Sequence, residues 1–162
     1  ETNMSFATAD LYDEYEEELQ IAKPMFNDYG GIKQFSGPAL TLKVFEDNSL
    51  VRAALEEPGL GKVLIVEGGA SLRCALLGDM LAELGVKNGW VGIIVHGCIR
   101  DSVMIGKMNI GVKALNTTPR KSVKKGVGVR DIAITFADVT INPGDFIYAD
   151  EDGFVVAKCK LK

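Results

Sequence analysis

The sequence predicts one compact α/β domain with a large mixed sheet or sandwich, and three observations predict it. Short, wholly apolar runs alternate with helical periodicity over the first two-thirds of the chain. The last third switches to alternating apolar residues between tight turns, the pattern of hairpins. No repeat, linker or low-complexity stretch divides the 162 residues, a length that favours a single domain able to bury its own core. A nearly all-β back end argues against a doubly wound Rossmann sheet.

In chain order, Thr8 is placed to cap a short helix whose apolar stripe is Leu11, Tyr12 and Tyr15. Pro24 and Gly30-Gly31 punctuate the chain between this helix and the first long strand. In that strand Leu40, Leu42 and Val44 alternate with Thr41 and Lys43. Asp47 or Asn48 then opens a helix through Leu55, stopped by Pro58-Gly59. Val63 to Val66 and Val91 to Val95 are buried strands by composition, and Leu76 and Leu77 end another short apolar stretch. Between them a helix runs from about Gly78 to Asn88, with Leu81 and Leu84 on its inner face. Val103 to Met108 makes at most a short helix, Val112 to Leu115 one more strand, and residues 116–130 a loop. Ile132, Ile134, Phe136, Val139 and Ile141 alternate. Asn142-Pro143-Gly144-Asp145 and Glu151-Asp152-Gly153 then turn the chain around Phe146 to Tyr148 and Phe154 to Val156.

Composition narrows the function classes. A net charge of −4 gives no basic signature for direct nucleic-acid binding, and the run Arg120-Lys121 with Lys124-Lys125 predicts a solvated loop. Three widely spaced cysteines, Cys74, Cys98 and Cys159, fit a reducing cytoplasm better than a disulfide framework or zinc site. No apolar run approaches membrane-spanning length, and the acidic, polar start is unlike a signal peptide. Glu1-Thr2-Asn3 is taken as a vector-derived remnant ahead of a natural start at Met4, so the domain is expected to span residues 4–162.

The informative stretch is GDMLAELGVKNGWVGIIVHGCIRD, Gly78 to Asp101. A helix starting near Gly78 leaves its first N–H groups without intrahelical partners, and together with the dipole these attract an anion. Gly78 removes the side chain that would block close approach. Arg100 ends the next strand, and its planar fork suits a carboxylate. Asp101 supplies a hard oxygen ligand of the kind Mg²⁺ or Mn²⁺ accepts while keeping several waters, and Asp79 is placed to hold one of those waters. A 2-oxo acid bridging such an ion would have its enolate stabilised. A plainer reading stands beside this one: Asp79 as a first-turn acid, Asp101 as the cap of the next segment, and Arg100 paired with either. His96, the single histidine, lies at a strand end and is read as structural, with acid–base work as the alternative. Gly68-Gly69 lacks the spacing of a nucleotide fingerprint.

Asp79, twenty intervening residues and Arg100-Asp101 match the D-X20-R-D motif of the class II 4-hydroxy-4-methyl-2-oxoglutarate/4-carboxy-4-hydroxy-2-oxoadipate aldolases. The whole chain resembles their short relatives, the regulator of ribonuclease activity A (RraA) group. The phrases PMFNDYGG, VFEDNSLV, GKVLIVEGGASLRCALLGDMLAE, NGWVGIIVHGCIRD and ADVTINPGDFIYADEDG carry that resemblance over nearly its full length. The resemblance implies a swivelling β/β/α domain with a central sandwich or barrel flanked by helices, assembled as a ring-like homotrimer. It implies that Gly78, Asp79, Met80 and Leu81 bind a pyruvate moiety. Arg100 would bind it too and stabilise the enolate, and Asp101 would hold the divalent metal.

The resemblance implies two functions. One is a metal-dependent lyase that cleaves 4-hydroxy-4-methyl-2-oxoglutarate to two pyruvates and decarboxylates oxaloacetate through the same enolate. The other is a non-catalytic protein that binds and inhibits ribonuclease E. Regulators of that kind typically lack the acid after the arginine, so Asp101 favours the lyase. The chain lacks the C-terminal extension of the longer aldolases, which puts the substrate range in doubt. Methyl transfer, a label some relatives once carried, finds no S-adenosylmethionine fingerprint here.

Overall fold

The structure, a computed structural model, describes residues 5–161; the proposed remnant and Met4 lie outside the described residues. Helix α1 (Thr8–Tyr15) is followed by a single 3-10 turn and the strands β1 (Leu19–Ile21), β2 (Asn27–Asp28) and β3 (Phe35–Lys43). Then come α2 (Ser49–Leu55), β4 (Val63–Glu67), β5 (Ala75–Leu77), α3 (Asp79–Lys87), β6 (Gly92–Ile99), α4 (Ser102–Ile105) and β7 (Gly111–Thr117). The chain finishes with β8 (Val129–Arg130), β9 (Ile134–Phe136), β10 (Val139–Ile141), β11 (Phe146–Asp150) and β12 (Gly153–Ala157).

This is the single α/β domain with a large mixed sheet that the sequence predicts. Ten strands form one sheet with the path β1-β12-β11-β3-β4-β6-β7-β2, and β9 and β10 form a separate hairpin. Strand β3 is the hinge of the design. Its first half pairs antiparallel with β11, and its second half pairs parallel with β4. The parallel block continues through β6 to β7, with β5 lying beside the end of β6. Parallel strands need both faces covered. On one face, Val51, Ala54 and Leu55 of α2 and Leu81 and Ala82 of α3 pack against Leu64, Val66, Ile93 and Val95. On the other, Ile65 and Ile94 meet Phe136, Val139, Ile141, Ile147 and Phe154 of the β-rich back end. The alternating apolar residues of the last third are thus core residues.

Three details differ from the sequence reading. Thr8 is not the cap of α1 but its first residue; the cap position is Ala7. The capping acceptor comes from far along the chain, because Asp150 takes the Thr8 N–H at 2.7 Å and its hydroxyl at 2.8 Å. Tyr12 is exposed while Leu11 is buried, so the stripe of α1 is narrower than expected. The 116–130 loop is also shorter, since β7 extends to Thr117 and β8 adds a two-residue pairing to β3. No helix among the described residues is long and apolar enough to cross a membrane.

Lys113 of β7 is 2% exposed, an unusual place for a cation. Its ammonium donates to Asp28 Oδ1 and to the Asp150 carbonyl, both at 2.8 Å. Together with the Thr8 contacts, this ties α1, β2, β7 and β11 into one polar knot. Lys113→Ala strips the partner from a largely buried carboxylate, and we expect a loss of about 3 kcal/mol. Denaturant unfolding of the variant beside the parent measures it.

Candidate functional site

Two chain exits lie side by side at the C-terminal ends of parallel strands, where α/β folds place ligands. Strand β5 pairs with β6 through Ala75 opposite Cys98 and Leu77 opposite Ile99. One residue further, the Arg100 N–H donates to the Leu77 carbonyl at 2.9 Å. Gly78, which comes after Leu77, therefore faces Arg100 and Asp101 directly. A Cβ on Gly78 would lie 2.9 Å from Asp101 Oδ2 and 3.5 Å from Arg100 Nε. The glycine is needed for space, since its φ of −126° is open to any residue.

Helix α3 starts at Asp79, and its first N–H is already engaged: Asp79 N–H donates to Asp101 Oδ2 at 2.9 Å. Asp101 reaches this position from a left-handed backbone, φ 58° and ψ 40°. It occupies the cap position of α4 but makes no side-chain cap bond there, so the plainer reading of Asp101 as the cap of its own helix does not hold. Arg100 forms no ion pair with a described carboxylate. Its Nη1 donates instead to the Pro119 carbonyl at 3.3 Å, so pairing with Asp79 or Asp101 does not occupy it. Helix geometry leaves the Met80 and Leu81 N–H groups at the opening. The Met80 side chain is exposed, whereas Leu81 is buried in the core beneath. All six residues expected from the sequence — Gly78, Asp79, Met80, Leu81, Arg100 and Asp101 — line one cleft of about 380 Å³.

The opposite wall was not legible in the sequence. Asn48, Ser49 and Arg52 at the start of α2 line it, together with Lys121, Ser122 and Lys124. The two lysines are solvent-exposed, as a solvated loop requires, yet they also face the cleft. Only long-range pairing places them there: Ala75 bridges Lys121, and Asp47 bridges Val123. Among the described buried side-chain atoms, Asn48 Oδ1 and Ser122 Oγ lack hydrogen-bond partners, and both residues belong to this wall.

Asp47 fastens this wall. Burial alone would raise its carboxyl pKa, but donors from Ser49, Val127 and Lys125 outweigh that and hold it at about 2. A carboxyl depressed from 3.8 in this way contributes stability above its unfolded pKa and loses it as pH falls through the folded one. The Lys125 and Val127 amides should keep their hydrogen-exchange protection down to about pH 3 and lose it below, as Asp47 takes up its proton near pH 2. Amide exchange across that range checks the window.

No group of three or more His, Cys, Asp or Glu side chains able to hold a metal exists among the described residues. An all-protein cage is therefore not the chemistry on offer. Asp101 is exposed, spends one oxygen on the Asp79 N–H, and shares the cleft with the Asp79 carboxylate. That donor set fits a hard divalent ion that takes one or two carboxylates and completes its shell with substrate oxygens and water.

His96 is not part of this cleft. Its Nδ1 lies 2.6 Å from Glu67 Oε1, and its ring stacks on Phe136 at 4.8 Å on the hairpin side of the sheet. Burial pushes the Glu67 carboxyl up, but the bonds from His96 and the Gly69 N–H bring it below its ordinary value. The pair is packed against the hairpin and lies away from the cleft residues.

The cleft at the parallel strand ends thus brings together the Arg100 guanidinium, the start of α3 and the Asp101 carboxylate on an α/β fold. The chain belongs to the RraA-like (Aldolase/RraA) family, whose model matches residues 8–156. It is 63% identical over 158 residues to a provisionally named 4-hydroxy-4-methyl-2-oxoglutarate aldolase of Aromatoleum aromaticum, covering 98% of this chain and 99% of that one. A protein of the same provisional name from Alkalilimnicola ehrlichii is 59% identical, covering 98% of both chains. Among solved structures, the RNA-processing inhibitor RraA from Thermus thermophilis matches with a TM-score of 0.95 at 44% identity, over 98% of this chain and 96% of that one. A Geobacillus kaustophilus protein described as an S-adenosylmethionine:2-dimethylmenaquinone methyltransferase matches at 0.93 and 52% identity, over 96% and 97%.

Proposed function

We propose that the chain is a divalent-metal-dependent lyase that cleaves 4-hydroxy-4-methyl-2-oxoglutarate to two pyruvates and decarboxylates oxaloacetate. One observation carries the reading: an unpaired Arg100 and the Asp101 carboxylate converge on the start of α3 in one cleft. Arg100 and the open Met80 and Leu81 N–H groups receive the 2-oxo acid end of the substrate. Asp101 is the metal ligand, with Mg²⁺ or Mn²⁺ as the fitting ions, and Asp79 orients water at the mouth. A bound divalent ion supplies Lewis acidity toward the 2-oxo group. The C4 hydroxyl of the substrate gives its proton to water oriented by Asp79, and the C3–C4 bond breaks. C4 leaves as the carbonyl carbon of one pyruvate. The electron pair passes to C3 and the 2-oxo oxygen as an enolate, which Arg100 stabilises, and a proton at C3 yields the second pyruvate. Arg52, Lys121 and Lys124 on the far wall face the second carboxylate of such a diacid.

Pyruvate release from both substrates should therefore require a divalent metal and stop in excess chelator. Asp101→Asn should lower metal affinity and turnover together. Arg100→Ala should leave metal affinity nearly intact and cost about a hundredfold or more in turnover. Metal titration beside steady-state kinetics tests this, and full activity of the parent in chelator would sink the reading. A second reading, protein-binding inhibition of ribonuclease E, is supported by the close match to RraA. Chelator-insensitive inhibition of that ribonuclease by a chain that releases no pyruvate would establish it instead. The three free cysteines suit the cytoplasm in either case.

We further propose a homotrimer. The apolar residues of the back third fill the core and leave little for a subunit contact. A group of exposed apolar side chains that supports assembly lies beside the cleft: Met80, Val103 and Met104 are 69%, 73% and 50% exposed. Light scattering at micromolar concentration should give three times the chain mass, and a stable monomer would count against it.

A further inference from the structure

One wall of the cleft is assembled from two pieces of chain nearly eighty positions apart, joined by the Asp47–Val123 backbone bridge and by one buried side chain. Asp47 is 2% exposed, and its two oxygens are divided between the pieces. Oδ1 accepts the Ser49 N–H at 2.9 Å and the Ser49 hydroxyl at 2.7 Å, which fixes the start of α2. Oδ2 accepts the Lys125 N–H at 2.9 Å and the Val127 N–H at 3.1 Å, which fixes the strap carrying Lys121 and Lys124. The joint is reinforced where Ser49 Oγ accepts the Gly126 N–H at 3.0 Å and the Val123 N–H donates to the Glu46 carbonyl at 3.0 Å. Upstream, the strap is also tied to the sheet, where the Ala75 N–H donates to the Arg120 carbonyl at 2.8 Å, and to Arg100, whose Nη1 donates to the Pro119 carbonyl at 3.3 Å.

We propose that Asp47 is a positioning residue for substrate selection: it helps hold Lys121 and Lys124 at the cleft that Arg100 also lines, and so makes the cleft prefer dicarboxylic over monocarboxylic 2-oxo acids. The proposal rests on the lyase reading and adds to it the residue that builds the distal-carboxylate wall. Only a carboxylate can do this work. Four donors converge on Asp47, and both its oxygens accept. Asp47→Asn offers one acceptor oxygen and one NH₂, so donors on one side meet a donor and either the helix start or the strap is released.

The test compares two unreactive acids by calorimetry in the presence of Mg²⁺. 2-Oxoglutarate carries a distal carboxylate and pyruvate does not. In Asp47→Asn, 2-oxoglutarate binding should weaken by about tenfold while pyruvate binding changes by less than about threefold. Trypsin cleavage after Lys121, Lys124 or Lys125 should accelerate by about tenfold as the strap is freed. The Lys121→Ala/Lys124→Ala variant should show the same selective loss, and adding Asp47→Asn to it should cost little more, because residues acting through one another are not additive. If Asp47→Asn fails to fold, Ser49→Ala, which breaks one contact on each piece, should give a weaker form of the same pattern. Equal loss of both acids, unchanged trypsin resistance or full additivity each overturns the role of Asp47. A parent that binds neither acid overturns the lyase reading and the proposal with it.

Discussion

The short parallel ladder between β5 and β6 is the constraint on which the candidate site depends. It is only three residues long on the β5 side, yet it fixes where two loops begin. Because the ladder continues through the Arg100 N–H to the Leu77 carbonyl, Gly78 and Arg100 leave the sheet as neighbours. The helix start, the guanidinium and the Asp101 carboxylate then fall within a few ångströms of one another without any long side chain having to search for its partner. Preorganisation of this kind comes from the sheet, whose central strands are buried on both faces.

The two walls of the cleft are held by different physics. One is continuous with the parallel sheet and inherits its rigidity. The other is a strap with few apolar anchors, since Val123, Val127 and Val129 all remain about half exposed or more. It stays in place through the Ala75–Lys121 and Asp47–Val123 backbone bridges and through hydrogen bonds to the buried Asp47 carboxylate.

The elements with strong periodicity were legible in the sequence. Residues 63–66, 78–88 and 91–95 lie where apolar runs and turn residues place them, and α3 runs from Asp79 to Lys87 with the expected Gly78 at its cap position. Strands β1 and β2 were not legible: they are three and two residues long, and pairing with β12 and β7 defines them rather than any pattern of their own. The Asp150 cap on α1 escaped for the same reason, since its acceptor lies 142 positions away from Thr8. At the site, the local motif around Gly78 and Arg100 showed half of the cleft. Lys121 and Lys124 gave no local signal, because a basic loop facing water and one facing a ligand have the same sequence.

Asp101 sits at φ 58°, a region that asparagine, aspartate and glycine enter more readily than other residues. Its side-chain oxygen also serves the Asp79 N–H, a task an amide oxygen performs equally well. The demands of architecture at this position are therefore met by shape, whereas the metal chemistry proposed for it would be met by charge. A chain on this fold can lose its negative charge here in one conservative step and keep its turn, its helix start and its surface. Catalysis and recognition can then part company along a lineage with the fold itself recording nothing of the change.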